Sequence, residues 1–288
     1  MRRMVSPRVQ RWRDAGSYVD VDGRQIFVVR RDGVGVPIVI VHGYPGSSFD
    51  FAGVIEQLDR PVLAMDLLGY GFSDKPREAS YSLFEQADLV ERIVADAGYD
   101  ACALVGHDMG TTVVAELLAR RNAGRLGFDV TGVLLLNGSI FIDLAHLTRG
   151  QRLGLRARGR VLPFAFPVSF LRRNLRESIA PGTAVDADGV EDLVDLIRIG
   201  RGDRLLTRQI NYIRERRVHQ DTWTAAFVDY PGPLSAVWGV LDPIAVPAMP
   251  RHLADLRPGT EVVLLDGVGH WPSIEAPGRV AAEIAARV

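Results

Sequence analysis

A chain of 288 residues, 47% hydrophobic and 24% charged, has the balance of a globular protein able to bury a full core. Its formal net charge of -1 offers no overall field for nucleic acid or an anionic membrane, and its one cysteine, Cys102, excludes an internal disulfide. No uninterrupted apolar run approaches the ~18 residues of a membrane helix. The N-terminal arginines (Arg2, Arg3, Arg8, Arg11, Arg13) come without the apolar stretch of a secretory signal, so a cytoplasmic protein, monomer or homodimer, is expected.

In chain order, Ser17–Val21 and Gln25–Val29 flank Asp22-Gly23 and predict a hairpin. Pro37–Val41 is a continuous β-branched run, the pattern of a strand buried on both faces, and Val62–Asp66 repeats it. Helices are predicted at about 82–97, 110–121 and 276–287, alternating with strands at Ala103–Val105, Val133–Leu136, Ala236–Trp238 and Val262–Leu265. The alternation predicts a mostly parallel, doubly wound α/β sheet. About a hundred residues between Asn137 and Leu234 break it with short Arg-rich amphipathic segments punctuated by Pro163, Pro167, Pro181 and Gly182. A structureless loop of that length is implausible in a compact domain. A core of 1–138 and 230–288 carrying a helical cap at 139–229 is therefore expected, with the arginines on solvated faces.

The most informative stretch is Leu104-Val105-Gly106-His107-Asp108-Met109-Gly110, where an apolar strand runs into a Gly-x-Asp-x-Gly turn and a helix. This is the context of a nucleophile elbow, normally built around serine. A serine needs a base and attacks a carbonyl. A carboxylate, with an ordinary pKa near 4, is ionised at neutral pH and suits displacement at saturated carbon, giving a covalent alkyl ester. His42-Gly43-Tyr44-Pro45-Gly46 follows a strand, and with an elbow of this kind the main-chain N–H groups of Tyr44 and Met109 form an oxyanion hole. Asp242, in Gly239-Val240-Leu241-Asp242-Pro243, and His270, in Gly267-Val268-Gly269-His270-Trp271-Pro272, each follow a later strand. The order nucleophile, acid, histidine fits a triad in which Asp242 orients His270, a base near its ordinary pKa of about 6.5. His42 and His107 read as structural, Cys102 as a buried inert thiol, and His146 as a residue that could face the pocket from the start of the insertion.

These motifs resemble the α/β-hydrolase-fold epoxide hydrolases and their dehalogenase relatives over nearly the whole chain, through His42–Pro45, Asp66–Pro76, Gly106–Gly110 and Gly269-His270. Tyr81–Ala87 and Leu136–Phe141 are most similar to the mesoderm-specific transcript branch. The resemblance implies an α/β-hydrolase fold with an inserted helical cap. Dehalogenases of this fold place Trp after the nucleophile and Asn after the His-Gly pair, or Arg after the nucleophile in the fluoroacetate type; here Met109 and Tyr44 stand there. Epoxide hydrolases use cap tyrosines as donors to the epoxide oxygen. Tyr212, the only tyrosine between Tyr99 and Tyr230, matches one of them; the first position is empty, with His146 the nearest substitute.

The resulting expectation is a cofactor-free and metal-free epoxide hydrolase. Asp108 opens a hydrophobic epoxide with help from Tyr212, and water activated by His270 hydrolyses the ester to a vicinal diol. Phe141, Phe164, Phe166, Phe170, Trp223 and Trp271 are expected around the substrate. A dehalogenase using the same nucleophile, a serine-type esterase and a non-catalytic ligand-binding protein are the alternatives.

Overall fold

The computed structural model describes residues 5–157, 166–183, 185 and 187–288. Eight strands form one sheet: β1 (Ser17–Val21), β2 (Arg24–Arg31), β3 (Ile38–Val41), β4 (Val62–Met65), β5 (Ala101–His107), β6 (Asp129–Leu136), β7 (Leu234–Gly239) and β8 (Glu261–Leu265), in the order β1-β2-β4-β3-β5-β6-β7-β8. The hairpin β1–β2 joins β4 antiparallel. From β4 to β8 every pairing is parallel.

The strand alternation divides the core into two layers. Val39, Val41, Leu63, Met65, Cys102 and Leu104 point into one face. Ile38, Ile40, Val62, Ala64 and Val105 point into the other. All four residues of β3 and all four of β4 are buried, which is why these strands carry apolar residues at every position rather than at alternate ones. The flanking helices begin where their sequences say they should. Ser82 caps Leu83–Asp96 by accepting from the Glu85 N–H, and Ser6 caps Pro7–Ala15 by accepting from the Val9 N–H.

Between β6 and β7 lie the helices Arg149–Arg156, Val168–Ser178, Ala187–Arg198, Leu206–Gln209 and Tyr212–Val228. Leu171, Leu175, Val190, Leu193, Val194, Ile197 and Leu206 form a separate apolar cluster that Trp271 also joins. The last helix behaves differently. Its Tyr212, Ile213, Trp223, Ala226 and Phe227 belong to the main core layer, and Trp223 donates its indole N–H to Glu116 of the helix Met109–Asn122 at 3.0 Å. Packing therefore ties Tyr212–Val228 directly to the helix that begins at the elbow. Among the described residues, no helix is long and apolar enough to cross a membrane.

Candidate active site

The parallel strands end on one edge of the sheet, and their following residues converge there: His42 to Tyr44 after β3, Asp108 after β5, Asn137 after β6, Asp242 after β7 and His270 after β8. In open parallel sheets this edge is where ligands bind.

Asp108 sits at φ 47°, ψ -112°, between the strand and the helix Met109–Asn122. An L residue is strained there, and such strain persists only where surrounding structure imposes it. Two glycines allow the imposition. A Cβ at Gly110 would lie 2.2 Å from the Val41 carbonyl oxygen, so only glycine lets the helix start this close to β3. A Cβ at Gly43 would lie 2.5 Å from the Asp108 Cβ. The same approach brings the Tyr44 N–H onto Asp108 Oδ2 at 2.9 Å. Asp108 Oδ1 is buried and has no hydrogen-bond partner among the described residues. Met109 is the first residue of the helix, where an N–H has no intrahelical acceptor. The carboxylate thus has one oxygen held at a backbone donor and one left over.

His270 Nδ1 lies 2.8 Å from Asp242 Oδ2. Asp242 is fully engaged: Oδ1 accepts from the N–H groups of Ile244 (2.7 Å) and Ala245 (3.0 Å), and Oδ2 also accepts from the Asn137 amide at 2.7 Å. The histidine loop is fixed by Glu275, whose carboxylate accepts from the main chains of Gly269, Trp271 and Ala180. His107 binds the His270 carbonyl through Nε2 at 2.8 Å, and His42 Nε2 accepts from the Leu67 N–H at 2.9 Å. Both histidines are buried and engaged with the backbone, His42 also at the Gly43 carbonyl at 2.8 Å. Cys102 is buried, and burial pushes its thiol up to about 12. Asn137 and Glu275 were not legible as site residues. Asn137 follows its strand as the other edge residues follow theirs, which is the one signal it gave.

Burial pulls the His270 imidazole down, but the charge and hydrogen bond of Asp242, then the charges of Asp108 and Glu275, more than offset it and raise the pKa to about 9. The expectation of a value near 6.5 is corrected by this anionic surround. A folded-state pKa above the unfolded one contributes stability that is full below about 6.5 and lost as pH rises through about 9. Chemical denaturation from pH 6 to 10 should show this loss, at up to about 1.4 kcal/mol per pH unit. His270→Gln should flatten that part of the profile. An identical slope in the variant would mean that His270 is not the group responsible.

Tyr212 is buried, its ring 5.7 Å from that of Tyr44. Burial, then the nearby charge of Asp108, raises its hydroxyl well above its ordinary range, while Arg216 and a hydrogen bond with Gln151 act the other way. Gln151 reaches a cavity of about 80 Å³ that lies between the insertion and the sheet edge, bounded also by Tyr44, His270, Trp271, Leu171 and Leu206. Asp108, 1% exposed, is not on its wall. The cavity ends at Tyr44, which binds the carboxylate, and His270, which feels its charge.

Several expected residues are not brought here. The His146 side chain is exposed; only its backbone is engaged, donating to the Ile244 carbonyl at 2.9 Å. It does not fill the empty tyrosine position. Phe141 packs against His252 (4.7 Å between ring centres) in a separate surface groove, and Trp223 against Phe84, so neither lines the cavity. Phe166, Phe170 and Trp271 do line it. Phe164 and Pro163 lie outside the described residues. Among the described residues, no group of three or more His, Cys, Asp or Glu side chains is placed to hold a metal ion.

An eight-stranded, mostly parallel sheet with an elbow, a histidine loop and an acid at successive strand ends defines an α/β hydrolase. The chain belongs to the alpha/beta hydrolase fold family, whose model matches residues 36–277. Over 275 residues (95% of this chain, 96% of the relative) it is 39% identical to LipZ of Mycobacterium tuberculosis strain H37Rv, a protein named as a hydrolase. It is 31% identical over 289 residues to the mesoderm-specific transcript protein of Mus musculus, covering 95% and 85% of the two chains. Among solved structures, the ligand-free epoxide hydrolase CorEH is similar with a TM-score of 0.73 at 19% identity, over 94% of this chain and 97% of that one. An alpha/beta hydrolase fold protein from Burkholderia ambifaria is similar with a TM-score of 0.77 at 21% identity, over 95% and 98%. At these identities the structural likeness speaks for the fold.

Proposed function

We propose that the protein is an epoxide hydrolase that converts a hydrophobic epoxide to a vicinal diol through an ester on Asp108. The observation that carries this reading is the state of the carboxylate: Oδ2 rests on the Tyr44 N–H, and Oδ1 is left without a partner. A serine esterase has no nucleophile at this turn. The helices between β6 and β7 act as the cap, supplying Tyr212 and the apolar cavity wall.

In the first step Asp108 Oδ1 bonds to an epoxide carbon from the side opposite the breaking C–O bond. The departing oxygen takes the Tyr212 hydroxyl proton. In the second, His270 takes a proton from water, whose oxygen attacks the ester carbonyl, and the developing oxyanion is stabilised by the Tyr44 and Met109 N–H groups. His270 returns its proton to the diol oxygen as the ester cleaves, and the remaining acid proton of Asp108 restores Tyr212 through solvent. The raised His270 pKa fits this sequence. Alkylation erases the Asp108 charge, one of the supports of the imidazolium, so the His270 pKa falls and loss of its proton to solvent before the second step is favoured.

A dehalogenase reading has less behind it. Met109 offers a thioether that receives the Tyr70 hydroxyl at 3.5 Å, and the Trp271 N–H is spent on Ser178 Oγ at 2.8 Å. The direct test is incubation with a panel of aryl and alkyl epoxides and, in parallel, chloroalkanes. Diol formation without halide release is expected; halide release without diol would reverse the assignment. Tyr212→Phe should slow ester formation by roughly 100- to 10,000-fold, read by stopped-flow. An unchanged alkylation rate would remove Tyr212 from the mechanism.

A further inference from the structure

Arg216 is a buried cation that, among the described residues, has no carboxylate in direct ion-pair contact. It is 1% exposed, one helical turn after Tyr212 in Tyr212–Val228. Its neighbours Arg214 and Arg217 are exposed, in line with the solvated role expected for the arginines of this segment. Arg216 turns inward instead. Its Nε and Nη2 donate to Thr112 Oγ1 at 2.9 and 2.6 Å, and Nη2 makes a long 3.5 Å contact with the Asp108 carbonyl oxygen. Its guanidinium carbon lies 5.0 Å from the centre of the Tyr212 ring. The Asp108 charge acts on it without a direct contact, and the buried Tyr212 hydroxyl is neutral at rest.

A buried guanidinium satisfied by a threonine hydroxyl and an aromatic face is costly in the resting protein. Such a charge is useful if negative charge develops beside it during reaction, because a fixed charge in a dry site then stabilises the transition state without reorganising. The ring over which Arg216 sits belongs to the proposed proton donor. Resting on the epoxide hydrolase reading, we infer that Arg216 is a positioning residue that stabilises the Tyr212 phenolate formed during ring opening. The Tyr212 O–H bond breaks as the Asp108 Oδ1–carbon bond forms and the epoxide C–O bond breaks. The proton goes to the epoxide oxygen, and the negative charge left on Tyr212 falls under the guanidinium. Gln151, on the cavity wall, also favours the ionised form of the Tyr212 hydroxyl. Its Oε1 is committed to the Thr148 N–H at 2.8 Å in a capping box, which leaves its NH2 group to donate.

The test compares two leaving groups on a His270→Ala background, with the covalent adduct followed by intact mass. An epoxide needs the tyrosine proton; 1-iodobutane alkylates Asp108 with loss of iodide and needs none. Arg216→Gln should slow epoxide adduct formation roughly 10- to 100-fold and change the iodobutane rate by less than about threefold, with Arg216→Lys between. Combined with Tyr212→Phe, Arg216→Gln should have no further effect on the epoxide rate. Equal loss with both reagents, or loss that persists without the Tyr212 hydroxyl, would mean that Arg216 only supports the fold and would overturn the inference. So would an unchanged epoxide rate. Absence of any epoxide adduct in the parent with Arg216 intact would sink the epoxide hydrolase reading itself, and the inference with it. An adduct indifferent to Arg216 sinks the inference alone.

Discussion

Asp108→Asn is expected to eliminate turnover, a loss of about 10⁴-fold or more, the scale on which removal of a nucleophile acts. The substitution changes little else. Asparagine is among the residues best able to occupy positive φ, so the elbow at φ 47° survives. Its amide oxygen still accepts from the Tyr44 N–H, which Asp108 Oδ2 now meets at 2.9 Å. Gly43 and Gly110 leave no room for the loop or the helix to shift. Circular dichroism should therefore match the parent while diol formation disappears, and the denaturation midpoint should fall only by the share of His270 stabilisation that the Asp108 charge supplies. Retained activity at even a tenth of the parent rate would show that Asp108 is not the attacking group.

The second large effect belongs to His270. His270→Ala should leave the first step working and stop the second, so that one equivalent of a hydrophobic epoxide such as styrene oxide is consumed and held. Intact mass should rise by the whole mass of the epoxide, and peptide mapping should place it on Asp108. The same variant removes a cation that Asp242, Asp108 and Glu275 support, so its stability must be checked alongside. A smaller cost is expected from Asn137→Ala, which removes one of the donors to Asp242 Oδ2, a bond to a charged acceptor normally worth about 1.5–3 kcal/mol. Steady diol release from folded His270→Ala would assign the base elsewhere.

The sheet was legible because both its faces are covered: the short, bounded apolar runs of β3 (Ile-Val-Ile-Val) and β4 carry the pattern of strands buried on both faces. The placement of Asp108, Asp242 and His270 at strand ends, and the Asp242–His270 contact, were legible because they follow from chain order and strand ends rather than from the details of packing. What the sequence hid lies in side chains whose direction is set by tertiary contacts. Glu275 looks like any surface helix acid until its three backbone donors are seen. Arg216 is masked by Arg214 and Arg217, although its spacing of four from Tyr212 put the two on one helix face. His146 and Phe141 failed for the complementary reason. Phe141 is drawn into the core layer against His252, and the segment beyond it ties the His146 backbone to Ile244 and leaves the histidine side chain in solvent. Nor does periodicity reveal that Asp108 is buried just off the cavity wall, with Tyr44 and His270 between them on that wall.

The central claim is that the substrate carbon bonds to Asp108 before water enters. A single turnover in H2¹⁸O, with enzyme in excess over styrene oxide, tests it without any substitution. If the claim holds, the first diol released carries ordinary oxygen from the carboxylate, and the peptide containing Asp108 gains the label. If ¹⁸O appears in that first diol and Asp108 stays unlabelled, water attacks the epoxide directly and the account is wrong.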